Sequence, residues 1–270
     1  MNIPGGHPPS KPGVAAKRRP TKEARMRLDA LAFGAHADDV ELSCSGTIIR
    51  LGASGYKTGV ITLTRGEMAT RGSAEIRAEE FGRASDIMGL AVHKMLDVPD
   101  GRVEDTWENK LKIISEIRRY KPKVVFAPYW VARHPDHEET SHLVRKAAYL
   151  AGLKKLDTSQ EPFRPFKVVY FQTRFEFEPS FIVDISDFHA RKIKSILAYK
   201  SQFHHRNKAE HGKEETLISH PEFLDHIKAR DKQYGAYIGV KYGEPFLVRE
   251  ALKIDDPVAF FGPEYLETVP

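Results

Sequence analysis

From residue 30 onward, hydrophobic and polar positions switch between two periods. Leu31–Ala35 is a short apolar run of the kind a buried strand makes, and helical spacing follows it through about Leu51. A second strand is predicted at Thr58–Thr64, bounded by Gly55 before it and Gly66 after it. Ser73 to Met88 places Ile76, Phe81, Ala84 and Ile87 or Met88 on one helical face. Leu111, Ile113, Ile114 and Ile117 make another helix, stopped before Pro122. Lys123–Tyr129 reads as a third strand, with a helix from about His137 to Leu150. Two further β runs, Val168–Phe177 and Phe181–Ile185, precede helices at His189–Tyr199 and Phe223–Gly235. Strands alternating with helices of these lengths predict an α/β fold, a mostly parallel sheet with helices on both faces.

The first 27 residues break this pattern. They are rich in Pro and Gly, lack any hydrophobic period, and carry seven basic side chains against one acid, Glu23. Such a segment cannot offset its ordering entropy by burial, so 1–27 is expected to be a disordered basic tail and 28–270 the folded domain. The overall charge of +5 is a property of that tail, because the rest of the chain holds 35 basic and 36 acidic residues. Nucleic-acid binding by the folded part is therefore not expected. No apolar run approaches the ~20 residues of a membrane span, and no apolar stretch follows the tail's charges as it would in a signal peptide. The lone cysteine, Cys44, excludes an intramolecular disulfide and a Cys-rich zinc site. With no membrane segment and no address, the cytoplasm is the expected compartment. The His/Lys/Glu-rich stretch Phe203–Glu215 reads as an exposed loop.

Candidate chemistry concentrates in two segments, Gly34-Ala-His-Ala-Asp-Asp-Val-Glu41 after the first strand and Arg133-His-Pro-Asp-His137 after the third. Both fall between a strand's carboxyl end and a helix start, the edge where open α/β sheets bind ligands. Taken alone, the carboxylates fit helix capping, since Asp38-x-x-Glu41 and Asp136-x-x-Glu139 resemble capping boxes. His36, His134 and His137 have no expected capping role and turn the balance toward a metal site. Two histidines, His36 and His137, with one carboxylate of the first segment suit catalytic zinc, and iron(II) is the competitor. Adjacent Asp38 and Asp39 cannot easily point the same way, so one can ligate while the other acts on water. His134, with Asp136 close by, completes a hydrolytic set.

These residues resemble a known family. Ala35-His-Ala-Asp-Asp-Val-Glu41 is similar to the first signature of the LmbE-like zinc N-deacetylases, and His134-Pro-Asp-His137 to their second metal motif. Thr64-Arg-Gly-Glu67 and Val98-Pro-Asp-Gly101 resemble further signatures, and the likeness runs over roughly residues 30–250. Ala37, Glu75-Ile-Arg77, Tyr199–Phe203 and Gly239–Pro245 resemble the branch that deacetylates N-acetylglucosaminyl malate in bacillithiol biosynthesis. The resemblance implies a Rossmann-like fold with His36, Asp39 and His137 as zinc ligands. It implies Asp38 as general base and His134, paired with Asp136, as the group that assists departure of the amine. Substrate contacts are implied at Arg77, with Arg133 and Glu67 as further candidates and Lys241 as an added cation for a malate group. A family tyrosine that contacts the reacting carbonyl would fall near Phe223, where this chain has no hydroxyl.

The resulting expectation is a hydrolase that removes the N-acetyl group from a small glucosamine derivative, with a homo-oligomer as the expected assembly. N-acetylglucosaminyl malate is the first substrate, and a chitobiose-like or other N-acetylglucosamine conjugate is the alternative. Two other readings stay open, an iron(II) oxygenase on the same ligands and a non-enzymatic metal-binding module. Cys44 is expected to be a small buried side chain, and His142, His204, His205, His211, His220 and His226 to be surface or loop residues.

Overall fold

The computed structural model describes residues 26–203 and 216–266. The expected tail up to residue 25 and all of the Phe203–Glu215 loop except Phe203 lie outside those residues. Seven strands form one sheet in the order β3-β2-β1-β4-β5-β7-β6. β1 (Ala30–Gly34), β2 (Thr58–Thr62), β3 (Val92–Met95), β4 (Val124–Pro128) and β5 (Lys167–Phe171) run parallel. β7 (Gly243–Leu247) is antiparallel to both β5 and β6 (Phe181–Asp184). The helices are α1 (Asp39–Ser43), α2 (Ser45–Ala53), α3 (Ala74–Met88), α4 (Trp107–Tyr120), α5 (Pro135–Leu150), α6 (His189–Ile196), α7 (Phe223–Tyr237) and α8 (Pro257–Leu266). The mostly parallel α/β architecture expected from the periodicity is the one observed.

Side chains along β1 alternate faces, as the pleat requires. Ala30 and Ala32 join Val40, Ile48, Phe81, Ile196 and Phe246 in one core. Leu31 and Phe33 join Ile61, Ile113, Ile117, Val125, Leu143 and Val144 in the other. Each core is a helical layer on its own side of the sheet. Ser73 and Thr106 cap α3 and α4 by accepting from Ile76 N and Asn109 N, and Gly89 ends α3 at φ +73°.

The helix expected to run unbroken to Leu51 is instead two, α1 and α2, split at Cys44 (φ −141°). The break aims the free amides at the start of α2 toward β7. Glu244 accepts from Gly46 N (3.0 Å), Thr47 N (2.7 Å) and Thr47 Oγ1 (2.6 Å). A Cβ at Gly46 would stand 2.9 Å from Glu244 Oε1, so only glycine lets the carboxylate in. Lys192 of α6 closes the network with Nζ 2.8 Å from Glu244 and 2.9 Å from Asp231, and all three side chains are fully buried. His189 faces Asp231 at 3.4 Å and stacks on Tyr242 with ring centroids 3.6 Å apart.

Four elements depart from the pattern the sequence predicts. β3 carries His93 and Lys94, which spoil its alternation as befits an edge strand. β7 contains Pro245, which argues against a strand by itself, and α8 follows it. The predicted run Val168–Phe177 is shorter, ending at Phe171. Among the described residues no helix is long and apolar enough to cross a membrane.

Removing one member of a buried charge network strands its partners in a low dielectric, at a cost of about 3–5 kcal/mol. Lys192→Met is therefore expected to lower unfolding free energy by about that amount in urea titrations; a loss under about 1 kcal/mol would show that the two acids are satisfied without it. Burial pushes the Asp231 carboxyl up, but Lys192, His189 and Arg230 outweigh it and hold it below the usual range. A carboxyl held low when folded stabilises fully above its unfolded pKa of about 3.9 and loses that contribution as pH falls below it.

Candidate active site and metal centre

The order β3-β2-β1-β4-β5 reverses direction between β1 and β4, and both chemistry-bearing segments leave the sheet there. β1 and β4 are hydrogen-bonded neighbours, with Ala30 opposite Val124 and Ala32 opposite Phe126. Their following loops therefore meet. His36 lies in the loop after β1 and Asp39 opens α1. His134 is the N-cap of α5, Pro135 its first residue and His137 its third.

His36, Asp39 and His137 offer ligand atoms that all lie within 4.8 Å of one another. Asp39 reaches both rings, with Oδ1 3.0 Å from His137 Nε2 and Oδ2 3.7 Å from His36 Nδ1. The other side of His36 is held by acids, since Nε2 is 2.9 Å from Asp100 Oδ1 and 3.3 Å from Asp136 Oδ2. Burial pushes the His36 imidazole down, but Asp100, Asp136 and Asp39 overcome it and raise the ring to about 10. A histidine that holds a proton so firmly marks a pocket whose carboxylates call for positive charge, which is what a divalent ion brings. The donor set thus fits a metal. A second overlapping set, His36, His134 and Asp136, has the same spacing. His36 Nε2 is already occupied by two carboxylates, which favours Nδ1, the nitrogen facing Asp39, as the metal-binding one.

Asp38 stands beside this cluster in a conformation few non-glycine residues adopt, φ 106° and ψ −22°. Arg77 pins it there. Its guanidinium donates to the Ala37 carbonyl and lies 3.5 Å from Asp38 Oδ2, all three residues being buried. Burial pushes the Asp38 carboxyl up to about 6, against the pull of Arg77 and with the push of Asp39. Burial also raises Asp39, yet His137 and His36 outweigh it and hold Asp39 below the usual range. Two adjacent carboxyls are thus driven apart, one fit to remain an anionic ligand and the other to trade a proton near neutrality. Behind them Glu41 accepts from the Tyr199 hydroxyl at 2.8 Å and is pushed up to about 7 by burial.

Several roles expected from sequence are redistributed. His134 does cap a helix: its Nδ1 accepts from Asp136 N at 3.2 Å, which leaves the proton of the neutral ring on Nε2. Asp38, placed as the N-cap of α1, makes no side-chain capping bond. The Asp136 carboxylate lies within 4.8 Å of a His134 ring nitrogen, and its hydrogen bonds go elsewhere. It accepts from Gly101 N (2.8 Å) and Val103 N (3.2 Å) and faces His36. Burial together with His36 and His137 lowers the His134 pKa, and the nearby Asp136 and Asp39 carboxylates only partly oppose that shift. Arg77 turns Nη2 to Asp38 and the Ala37 carbonyl, and its Nε has no hydrogen-bond partner. Glu67 accepts from Asp100 N at 2.8 Å, so its carboxylate closes a loop, while Arg133 and Lys241 are exposed. Phe223 packs near Phe203, ring centroids 6.2 Å apart.

Asp100 is the residue that sequence reasoning missed. It lies in Val98-Pro-Asp-Gly101, a motif to which the sequence alone assigns no role. Its Oδ2 accepts from Met68 N at 2.9 Å while Oδ1 holds His36. A carboxylate on the outer nitrogen of a metal-binding histidine fixes tautomer and ring orientation, and its loss typically costs 10–100-fold in metal affinity. Asp100→Asn is expected to weaken divalent-metal binding by about that factor in competition with a chromophoric chelator, with the circular dichroism unchanged. Unaltered affinity would mean that Asp136 alone orients the ring.

The family model described as PIG-L, GlcNAc-PI de-N-acetylase, matches residues 31–148, from β1 almost to the end of α5. The chain is 30% identical to the diacetylchitobiose deacetylase of Thermococcus kodakarensis over 188 residues, 64% of this chain and 69% of that protein. Its fold superposes on the conserved protein TT1542 of Thermus thermophilus with a TM-score of 0.76 at 39% identity, covering 84% of this chain and 97% of that one. The N,N'-diacetylchitobiose deacetylase of Pyrococcus horikoshii has the same fold, with a TM-score of 0.71 at 24% identity over 87% of this chain and 85% of that one. Segment, site and relatives agree: the chain belongs to the PIG-L family of hydrolytic N-deacetylases.

Proposed function

We propose that this protein hydrolyses the N-acetyl group of a glucosamine derivative, with zinc held by His36, Asp39 and His137. The observation that carries the reading is Asp38, buried beside those ligands with its carboxyl pushed up to about 6. His36, Asp39 and His137 would hold zinc where it would supply Lewis acidity toward the acetyl carbonyl and toward water. Asp38 takes the proton of that water as the new C–O bond forms. His134, with Nδ1 engaged by the Asp136 amide, presents its Nε2 proton to the carbonyl oxygen as that oxygen gains charge. In this reading His134 works as a neutral hydrogen-bond donor and not as an imidazolium. Asp38 then returns its proton to the nitrogen as the C–N bond breaks and the amine leaves.

Two substrates fit. N-acetylglucosaminyl malate is supported by the branch resemblance, and a diacetylchitobiose-type sugar by the 30% identity to the Thermococcus enzyme. Several residues behind the branch resemblance sit in the interior. Arg77 is on Asp38, Tyr199 on Glu41, and Glu244 in the Lys192 network. They bear on how the site is built more than on what it accepts. The exposed cations Arg133 and Lys241 remain to meet a malate carboxylate.

Amine release from N-acetylglucosaminyl malate, N,N'-diacetylchitobiose and N-acetylglucosamine separates these substrates by kcat/KM. Positioned acid–base groups contribute about 10²–10⁴-fold, so Asp38→Asn is expected to keep its metal and lose that much in kcat. Full activity in the metal-loaded variant would remove Asp38 as the base. A base works only when deprotonated, so kcat/KM should fall on the acid side with a midpoint no higher than about 6.

A further inference from the structure

A second concave site lies on the α5 face of the sheet, beside the loop that joins β4 to α5. A small cleft of about 100 Å³ is lined by Trp130, Ser141, His142, Arg145, Tyr170 and Arg249. Its chemistry is that of an anion receptor. Among the described residues neither Arg145 nor Arg249 is paired with a carboxylate. The guanidinium of Arg249 is seated over the Trp130 indole, 4.7 Å from the ring centre, which positions it without using its N–H donors. Trp130 in turn stands edge-on to Tyr170, centroids 4.8 Å apart at 89°, so the wall is rigid. Burial raises the Tyr170 phenol above its usual range, and the positive charges of Arg249 and Arg145 oppose that rise. At the floor, the Ser141 hydroxyl is buried and has no hydrogen-bond partner. Unsatisfied buried polar groups cost about 1–3 kcal/mol, so the hydroxyl gains from a ligand that reaches it. The one acid that acts on the phenol, Glu250, is paired with Lys167 at 3.1 Å.

We propose that this cleft binds a small oxyanion, a phosphate monoester or a carboxylate, through the Arg145 and Arg249 guanidiniums and the Ser141 and Tyr170 hydroxyls. Paired guanidiniums match the parallel oxygens of both groups, and the two hydroxyls supply donors on the remaining side. Ser141 stands four residues beyond His137 on α5, just over one helical turn or roughly 6 Å along the axis from a candidate metal ligand. The anion is therefore either the far end of a substrate or a free ion bound beside the active site.

The chain has two tryptophans, so Trp107→Phe leaves Trp130 as the sole reporter in the cleft. Inorganic phosphate titrated into this zinc-loaded full-length variant should give a saturable change in its emission, absent with chloride at equal ionic strength. Adding Arg145→Gln and Arg249→Gln should raise the midpoint at least tenfold, and adding Ser141→Ala alone should raise it less. No saturable change, or an unchanged midpoint without the arginines, would overturn the proposal, the latter by placing phosphate at the metal. The source of the anion is read from turnover, an arm that rests on the deacetylase reading where the titration does not. A substrate-borne group predicts at least tenfold higher KM for N-acetylglucosamine 6-phosphate in the double arginine variant, with KM for N-acetylglucosamine unchanged. A free ion predicts that phosphate alters turnover of the neutral sugar only while the arginines are present.

Discussion

β1 sends its chain toward β2 and β3, while β4 sends its chain toward β5, so no crossover helix covers the carboxyl ends of both. Everything chemical in the molecule depends on that gap. It opens a crevice whose two walls are the first turns of α1 and α5, and it sets Asp39 against His137 although 98 positions separate them in the sequence. The strands below are buried on both faces, so the crevice floor cannot slide. Short loops then need to place their side chains only within a few ångströms.

Charge balance is the second constraint. Asp38, Asp39, Glu41, Asp100 and Asp136 are all buried around one small volume. Arg77 and the histidines answer part of that negative charge, and the remainder is the physical reason a cation belongs there. The same crowding makes the acids unlike one another. Asp39, between two imidazoles, stays ionised, while Asp38, with less help, holds its proton more readily. Three loops cooperate in this: Glu67 anchors the Asp100 amide, Asp100 anchors Met68 and His36, and Asp136 anchors Gly101 and Val103. His36 is oriented by residues from segments that share no strand with it.

What could be read from the chain itself follows a simple division. Alternation and helical period reported the strands and helices that bury one clean face, such as β1, β2 and α3. They failed where a buried strand carries Pro245 or an edge strand carries Lys94, because there the sheet context outweighs local preference. His36 and His137 stood out because a histidine at each strand end has no other common use, whereas spacing left Asp38 and Asp39 equivalent and only the family resemblance singled out Asp39. Asp100 did not stand out, since a single acid beside a Pro-Gly turn looks like turn chemistry. The roles of His134 and Asp136 were blurred for a related reason. Residues two apart in sequence suggested a pair, whereas the start of α5 turns one carboxylate to His36 and spends one imidazole nitrogen on a backbone amide.

The contact between Glu244 and the start of α2 spans 197 residues. Such long-range closure is slow and comes late, because its loop entropy must be met before it stabilises anything. On the ribosome, the segment bearing His36 to Glu41 is among the first parts of the domain to emerge. The helix that follows it, α2, is not tied to β7 until that strand has been made and slotted between β5 and β6. A nascent chain would therefore carry His36 and Asp39 long before the helix behind them is fixed, and the pocket they line is completed late in folding, not early in synthesis.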